Sequence, residues 1–160
     1  MSPETFDTMT LSSEGKSSSN QIPESLVKKT DSKGRMYATG KRKTSIARVW
    51  VMPGTGKIEV NGKTKDAYFQ RIALKERLLD PLRVLGAEKQ FDVLATVLGG
   101  GVSSQVDAVR FGLSRALSYL SADYRSSLKP HGLLSRDARI VERKKPGRRK
   151  ARRSFQFSKR

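Results

Sequence analysis

The residues best equipped for chemistry in this chain are cations near its C-terminus. In "ERKKPGRRKARRSFQFSKR", ten of the eighteen residues from Arg143 to Arg160 are Lys or Arg and none is acidic. Such a run repels itself in isolation, and the chemistry it offers is phosphate neutralisation. A second group, "GKRKT" at 40–44, sets Lys41, Arg42 and Lys43 beside a glycine at the entry to a strand. Solvated loops usually mix charge signs, so this grouping points to nucleic-acid contact.

Glycines supply a third feature. "GGGVSSQ" at 99–105 joins an expected strand to an expected helix, a junction that presents free backbone N–H groups and the positive end of the helix dipole. Gly99, Gly100 and Gly101 would let a phosphate come close, but they suit a plain turn equally well. As a dinucleotide fingerprint the segment fails, because Ser104 stands where the third glycine belongs. "GKIEVNGKT" at 56–64 fails as a P-loop, since five residues separate Gly56 from Gly62 where the motif needs about four.

Little else could act on a bond. The chain has no cysteine, and its one histidine, His131, precedes Gly132 and reads as a turn residue. That excludes disulfides, thiolate zinc sites and cysteine nucleophiles. Clustered carboxylates for a metal-dependent nuclease are missing, so no catalytic residue, metal or cofactor is expected.

A scaffold must position these groups, and its periodicities are readable. In "TSIARVWVM", Ala47, Val49 and Val51 alternate with Ile46, Arg48 and Trp50, the period of a strand. "PGTG" at 53–56 is turn chemistry and "KIEV" resumes the alternation, which predicts a hairpin. After Asn61-Gly62 comes a helical stretch, "AYFQRIALKERLL". Asp80-Pro81 then suits an N-cap and first helical position, predicting a second short helix from Pro81 to Gly86. "QFDVLATVL" at 90–98 reads as a strand. Val106, Val109, Leu113, Ala116, Leu117 and Leu120 recur as the stripe of an amphipathic helix. On its other face Phe111 and Arg115 lie one turn apart, placed either to stack on RNA or to pack beneath the basic arm. "RDARIVERKK" at 136–145 suggests a last strand or turn that anchors that arm. Together these elements make a compact α/β or α+β layer.

Composition sets the bounds. With 160 residues and 36% apolar content the chain supports one modest domain. Its net charge of +18 is lopsided, and polyanions are the natural partner. Residues 1–34 carry 4 basic and 5 acidic groups, 35–124 carry 15 and 8, and 125–160 carry 14 and 2. The Ser-, Thr- and acid-rich residues 1–34 are expected to form a disordered extension, with order beginning near Tyr37. Residues 35–142 would be the globular domain and 143–160 the arm, which in extended form could reach far from it. No apolar run is long enough to cross a membrane, and the N-terminus has no signal-peptide layout, so a soluble protein is expected. A mitochondrial presequence is disfavoured by the absence of Arg from the first 34 residues.

"YATGKRKTSIARV", "VNGK", "GGG" followed by "Q" and "RFGLSRAL", and the ending "RDARIVERKKPGRRKARRSFQFSKR" resemble protein nine of the small ribosomal subunit, bacterial or bacterial-derived organellar in type. The resemblance covers residues 37–160. It implies an α+β fold, a single β-α-β domain similar to the second domain of small-subunit protein five, with a long extended arm. It also implies a seat in the subunit head on the 3′ major domain of small-subunit rRNA, beside neighbouring head proteins. The rRNA contacts it implies are Lys41, Arg42, Lys43, Gly99, Gly100, Gly101, Gln105, Arg110 and Arg115. Along the C-terminal part it adds Arg136, Arg139, Arg143, Lys144, Lys145, Arg148, Arg149, Lys150, Arg152 and Arg153. Ser158, Lys159 and Arg160 would meet the peptidyl-site tRNA. The resemblance implies the bacterial cytoplasm, on the ribosome, or alternatively a mitochondrial ribosome. Ser104 and Asp107 stand where the family often has Gly or another small residue, and Phe111 where it often has His; Asp107 there would repel a phosphate. The rival reading is a free-standing RNA chaperone or nucleoid protein, for which so specific an ending has no use.

Overall fold

The computed structural model describes residues 30–158 of the chain. Strands β1 (Met36–Arg42) and β2 (Ser45–Pro53) form an antiparallel hairpin whose turn holds Lys43 in left-handed backbone, φ 52°. The alternation in β2 is as expected, with Ala47, Val49 and Val51 buried and Ile46 and Arg48 exposed. Strand β1 was not expected, because its only buried side chains are Met36 and Ala38 and a cationic cluster follows. Ahead of it, Thr30 bridges to Met36, and Asp31 pairs with Arg35. Local structure therefore begins before Tyr37; most of the expected N-terminal extension lies outside the described residues.

The expected hairpin between 45–53 and 57–60 does not form. Strand β3 (Ile58–Val60) is separated from β2 by β5 (Phe91–Leu98), antiparallel to β2 and parallel to β3. With β4 (Lys63–Thr64) at the far edge, the sheet order is β1-β2-β5-β3-β4. The "PGTG" turn steps across the end of β5: the N–H groups of Thr55, Gly56 and Lys57 all donate to one oxygen of Asp92 at 2.8 Å. Those bonds, with the Lys57 amide foremost, hold the Asp92 carboxyl below its ordinary pKa. The tight hairpin at Asn61-Gly62 instead joins β3 to β4. Both turn residues have positive φ, the requirement of a type I′ turn.

The parallel β3–β5 pair requires a crossover. It is made by α1 (Lys65–Tyr68), capped by the Thr64 hydroxyl, and α2 (Ile72–Val84). Here a second expectation fails, because α2 runs straight through Asp80-Pro81. Pro81 removes one intrahelical bond, but Leu78, Pro81 and Leu82 form the buried face of the helix, and that packing holds it together across the break in the ladder.

Helix α3 (Val102–Leu120) returns across β1 and β2, followed by α4 (Ala122–Leu128). Its expected stripe is buried at Val106, Val109, Leu113, Ala116 and Leu117 and half-buried at Leu120. At the crossing of β1 and α3 the backbones nearly touch: a Cβ built on Gly40 would lie 1.9 Å from the Ala108 carbonyl oxygen. With the crossover and returning helices on one face of a mixed sheet, the fold is α+β.

Residues 129–158 contain no helix or strand. The strand considered at 136–145 is absent, with Ile140 and Val141 72% and 80% exposed and no neighbouring strand to bury them. Nor is the following stretch straight. The Arg149 N–H donates to the Arg153 carbonyl at 2.8 Å, and Arg152 Nε donates to Glu142 at 3.0 Å, doubling the chain back on itself.

Candidate nucleic-acid interface

Strand alternation splits the first cationic group. Lys41 points to the open side of the sheet, whereas Arg42 points to the helical side and meets α3. There Arg42 Nη2 lies 3.0 Å from Asp137, Nη1 donates to the Arg139 carbonyl at 2.9 Å, and Nε is 3.7 Å from Asp107. Asp107 is also 3.4 Å from Arg77. Arg42 and Asp107 are both only 13% exposed. The carboxylate expected to repel phosphate is thus neutralised inside the molecule, and Arg42 ties the C-terminal segment to the domain. Hydrogen bonds from Arg139, with Arg42 nearby, hold the Asp137 carboxyl far below its ordinary pKa, so this tether is ionised well into acid.

A double-mutant cycle checks the tether. Arg42→Ala and Asp137→Ala should couple by about 1 kcal/mol in urea unfolding, and Arg42→Lys should not restore the pairing, since a point charge cannot serve three acceptors as a fork does. Additive effects would show that the two groups are neighbours without a working contact.

The glycine junction resolves into separate jobs. Gly99 and Gly100 have φ of 75° and 62°, and a Cβ there would meet the Thr44 carbonyl oxygen at 2.5 Å and the Ser45 hydroxyl at 2.1 Å. They are the turn that lets α3 start against the β1–β2 hairpin. Gly101 has open space where its Cβ would be. It borders an open cleft of about 700 Å³ between Lys43, Tyr68, Arg71 and the first residues of α3. Two cations and a helix N-terminus here present a place for phosphate. Ser104 closes the turn, accepting from the Gly101 N–H at 3.1 Å and from the Ser45 hydroxyl at 3.0 Å. Gln105 is an internal brace: its amide donates to the Gly99 carbonyl at 3.1 Å and accepts from the Tyr68 hydroxyl at 2.9 Å.

Along α3 the structure separates Arg110 from Arg115. Arg110 pairs with Asp80 at 2.9 Å and lies 5.2 Å over the Phe111 ring. Arg115 is exposed and donates to the Thr39 carbonyl at 3.2 Å. Phe111 is half-buried and lines a hollow of about 250 Å³ with Lys41, Arg115, Leu134 and Arg136. The C-terminal segment therefore passes over Phe111, and three cations from distant parts of the chain converge there.

Farther on, Arg139 pairs with Asp137 and Arg152 with Glu142. Arg143, Lys144, Lys145, Arg148, Lys150 and Arg153 are exposed, while Arg149 sits 5.8 Å over Phe155. Ser158 is exposed, and Lys159 and Arg160 lie outside the described residues. Arg71, Arg77 and Tyr68 were missed by sequence reasoning, since nothing in "AYFQRIALKER" distinguishes them from the solvated face of a helix.

The α+β scaffold thus carries a cationic cleft, a cationic hollow and a basic segment outside its core, surface chemistry of the class suited to a polyanion. Residues 40–160 match the family model described as ribosomal protein S9/S16. The chain belongs to that family, a family of small-subunit ribosomal proteins. Among the described residues, no helix is long and apolar enough to cross a membrane.

Proposed function

We propose that this chain is a structural component of the small-subunit head that binds the 3′ major domain of small-subunit rRNA. Its domain, similar to the second domain of small-subunit protein five, holds the RNA through the cleft and the hollow. The C-terminal segment, opened from its doubled-back form, lies along rRNA and carries Ser158, Lys159 and Arg160 to the peptidyl-site tRNA. Neighbouring head proteins complete the seat, and the ribosome is that of a bacterial cytoplasm. The observation that carries this reading is the convergence of Lys41, Arg115 and Arg136 at the root of a segment that exposes Arg143, Lys144, Lys145, Arg148, Lys150 and Arg153, in a chain of the S9 family.

Sedimentation of lysate at moderate salt tests the assembly, which predicts co-migration with small subunits; a peak at the top of the gradient would favour a free-standing RNA-binding protein. Deleting Ser158 to Arg160 tests the tip. Occupancy of purified subunits should stay full, because the other cations remain, while tRNA affinity in the peptidyl site falls by about tenfold, the loss of one or two charge-assisted contacts. Unchanged tRNA affinity at full occupancy would remove the tip from the mechanism, and lost occupancy would make it an assembly element.

A further inference from the structure

One face of the sheet carries no helix. In register across β1, β2 and β5 it presents Tyr37, Trp50 and Leu94 in one row, Thr39, Arg48 and Thr96 in the next, and Lys41, Ile46 and Leu98 in the third. Arg48, Thr96, Ile46 and Leu98 are exposed, and Tyr37 and Trp50 are half-exposed. The Tyr37 and Trp50 rings are 5.4 Å apart, and the Arg35 guanidinium lies 5.8 Å from the Trp50 ring centre.

We infer that this open face is a second RNA surface that takes an unpaired strand, with a base stacked on the Tyr37–Trp50 pair and phosphates on Arg48 and Lys41. The inference rests on the RNA-binding part of the proposed function and adds a site to it. Aromatic rings on an open sheet accept bases only when the bases are unstacked, which a duplex does not allow. Charge complementarity favours nucleic acid over a protein neighbour. The face carries Arg48 and Lys41, neither paired with a carboxylate among the described residues, with Arg35 at its margin neutralised by Asp31, and its other acids stand aside: Asp92 is occupied by three loop amides, and Glu59 lies on β3, beyond β5. Continuity adds a second argument, because Lys41 belongs both to this face and to the hollow with Arg115 and Arg136. A strand leaving the hollow around the edge of β1 would arrive on Arg48 and Trp50.

Trp50 is the only tryptophan in the chain, so its fluorescence reports this face and nothing else. The full chain should be titrated with a single-stranded RNA of about 12 nucleotides and with a duplex of the same sequence. Saturable quenching by the single strand, with little by the duplex, is expected. Trp50→Leu should weaken single-strand binding about tenfold, the loss of one stacked base, while duplex binding stays within about twofold. Arg48→Ala, at an exposed position, should weaken it severalfold with an unchanged Tm, which guards against a Trp50 variant that fails to fold. RNA binding with Trp50 silent, or a Trp50→Leu variant that binds single strands equally, would overturn the inference while leaving the proposed function standing. Absence of any RNA binding would overturn both. A shift of Trp50 emission on deleting residues 1–29 alone would overturn it too, by showing that the chain's own N-terminal segment covers the face.

Discussion

Gly40→Ala is expected to destabilise the domain by about 3 kcal/mol or more, toward the upper end of what overpacking costs. The added Cβ would meet the Ala108 carbonyl oxygen at 1.9 Å, the Gly112 amide nitrogen at 2.4 Å and the Gly112 Cα at 2.9 Å. All three are backbone atoms of α3, so no side chain can rotate away, and β1 must lift from the helix. That displaces Met36 and Ala38 from the core and moves Arg42 relative to Asp107. In thermal unfolding the loss should appear as a fall in Tm of about 10 °C. Gly112→Ala should cost less, since its nearest obstacle at 2.7 Å is a Val49 methyl. Gly101→Ala, which meets nothing within 4 Å, should stay within about 1 kcal/mol, the preference for glycine over alanine at an N-cap. A Gly40→Ala protein melting within a few degrees of the parent would mean that the two backbones are not in contact.

Gly40 also marks where sequence reasoning stops. The elements that could be read were those with an internal period: Ala47, Val49 and Val51 in β2, the 90–98 strand, and the stripe from Val106 to Leu117. Each carries its pattern in neighbouring residues, so local chemistry suffices. Strand β1 lacks such a pattern, because two of its helix-facing positions are Gly40, which is there to have no side chain, and Arg42, which looks like a surface cation. The order of the sheet was hidden for a different reason. "PGTG" is equally good at reversing a chain beside itself and at carrying it past the end of another strand, and only Asp92, far along the chain, decides between them. Pro81 misled because its local rule, a helix start, yields to burial of Leu78 and Leu82 on the same helix face. The candidate site divides along the same line: the cations were visible as residue types, whereas their partners Asp80, Asp107 and Asp137 are contacts made by folding.

That division sets the outcome of a salt titration. Raising salt from about 0.05 to about 0.2 M should weaken binding of small-subunit RNA by the isolated protein on the order of a thousandfold, with a log–log slope of about −4 to −7 if roughly 6 to 8 phosphates are neutralised. Arg42 and Arg110 should contribute little to that slope, because each is already paired with a carboxylate and largely buried. The pairs of Arg139 and Arg152 are of another kind. These arginines are 87% and 84% exposed, and surface pairs of this type are worth about 1 kcal/mol or less, so a phosphate competes for them readily. Lys144, Lys145, Arg148, Lys150 and Arg153 are exposed and have no carboxylate partner among the described residues. Single substitutions separate the groups: Lys145→Ala should make the slope shallower by about 0.7 to 0.9, one phosphate's worth of released counterions, whereas Arg110→Ala should lower stability and leave the slope unchanged. A slope near zero would mean that stacking and apolar contacts dominate. Equal slopes lost at Lys145 and Arg110 would mean that RNA breaks the Asp80 pair, which would place α3 itself against the phosphates.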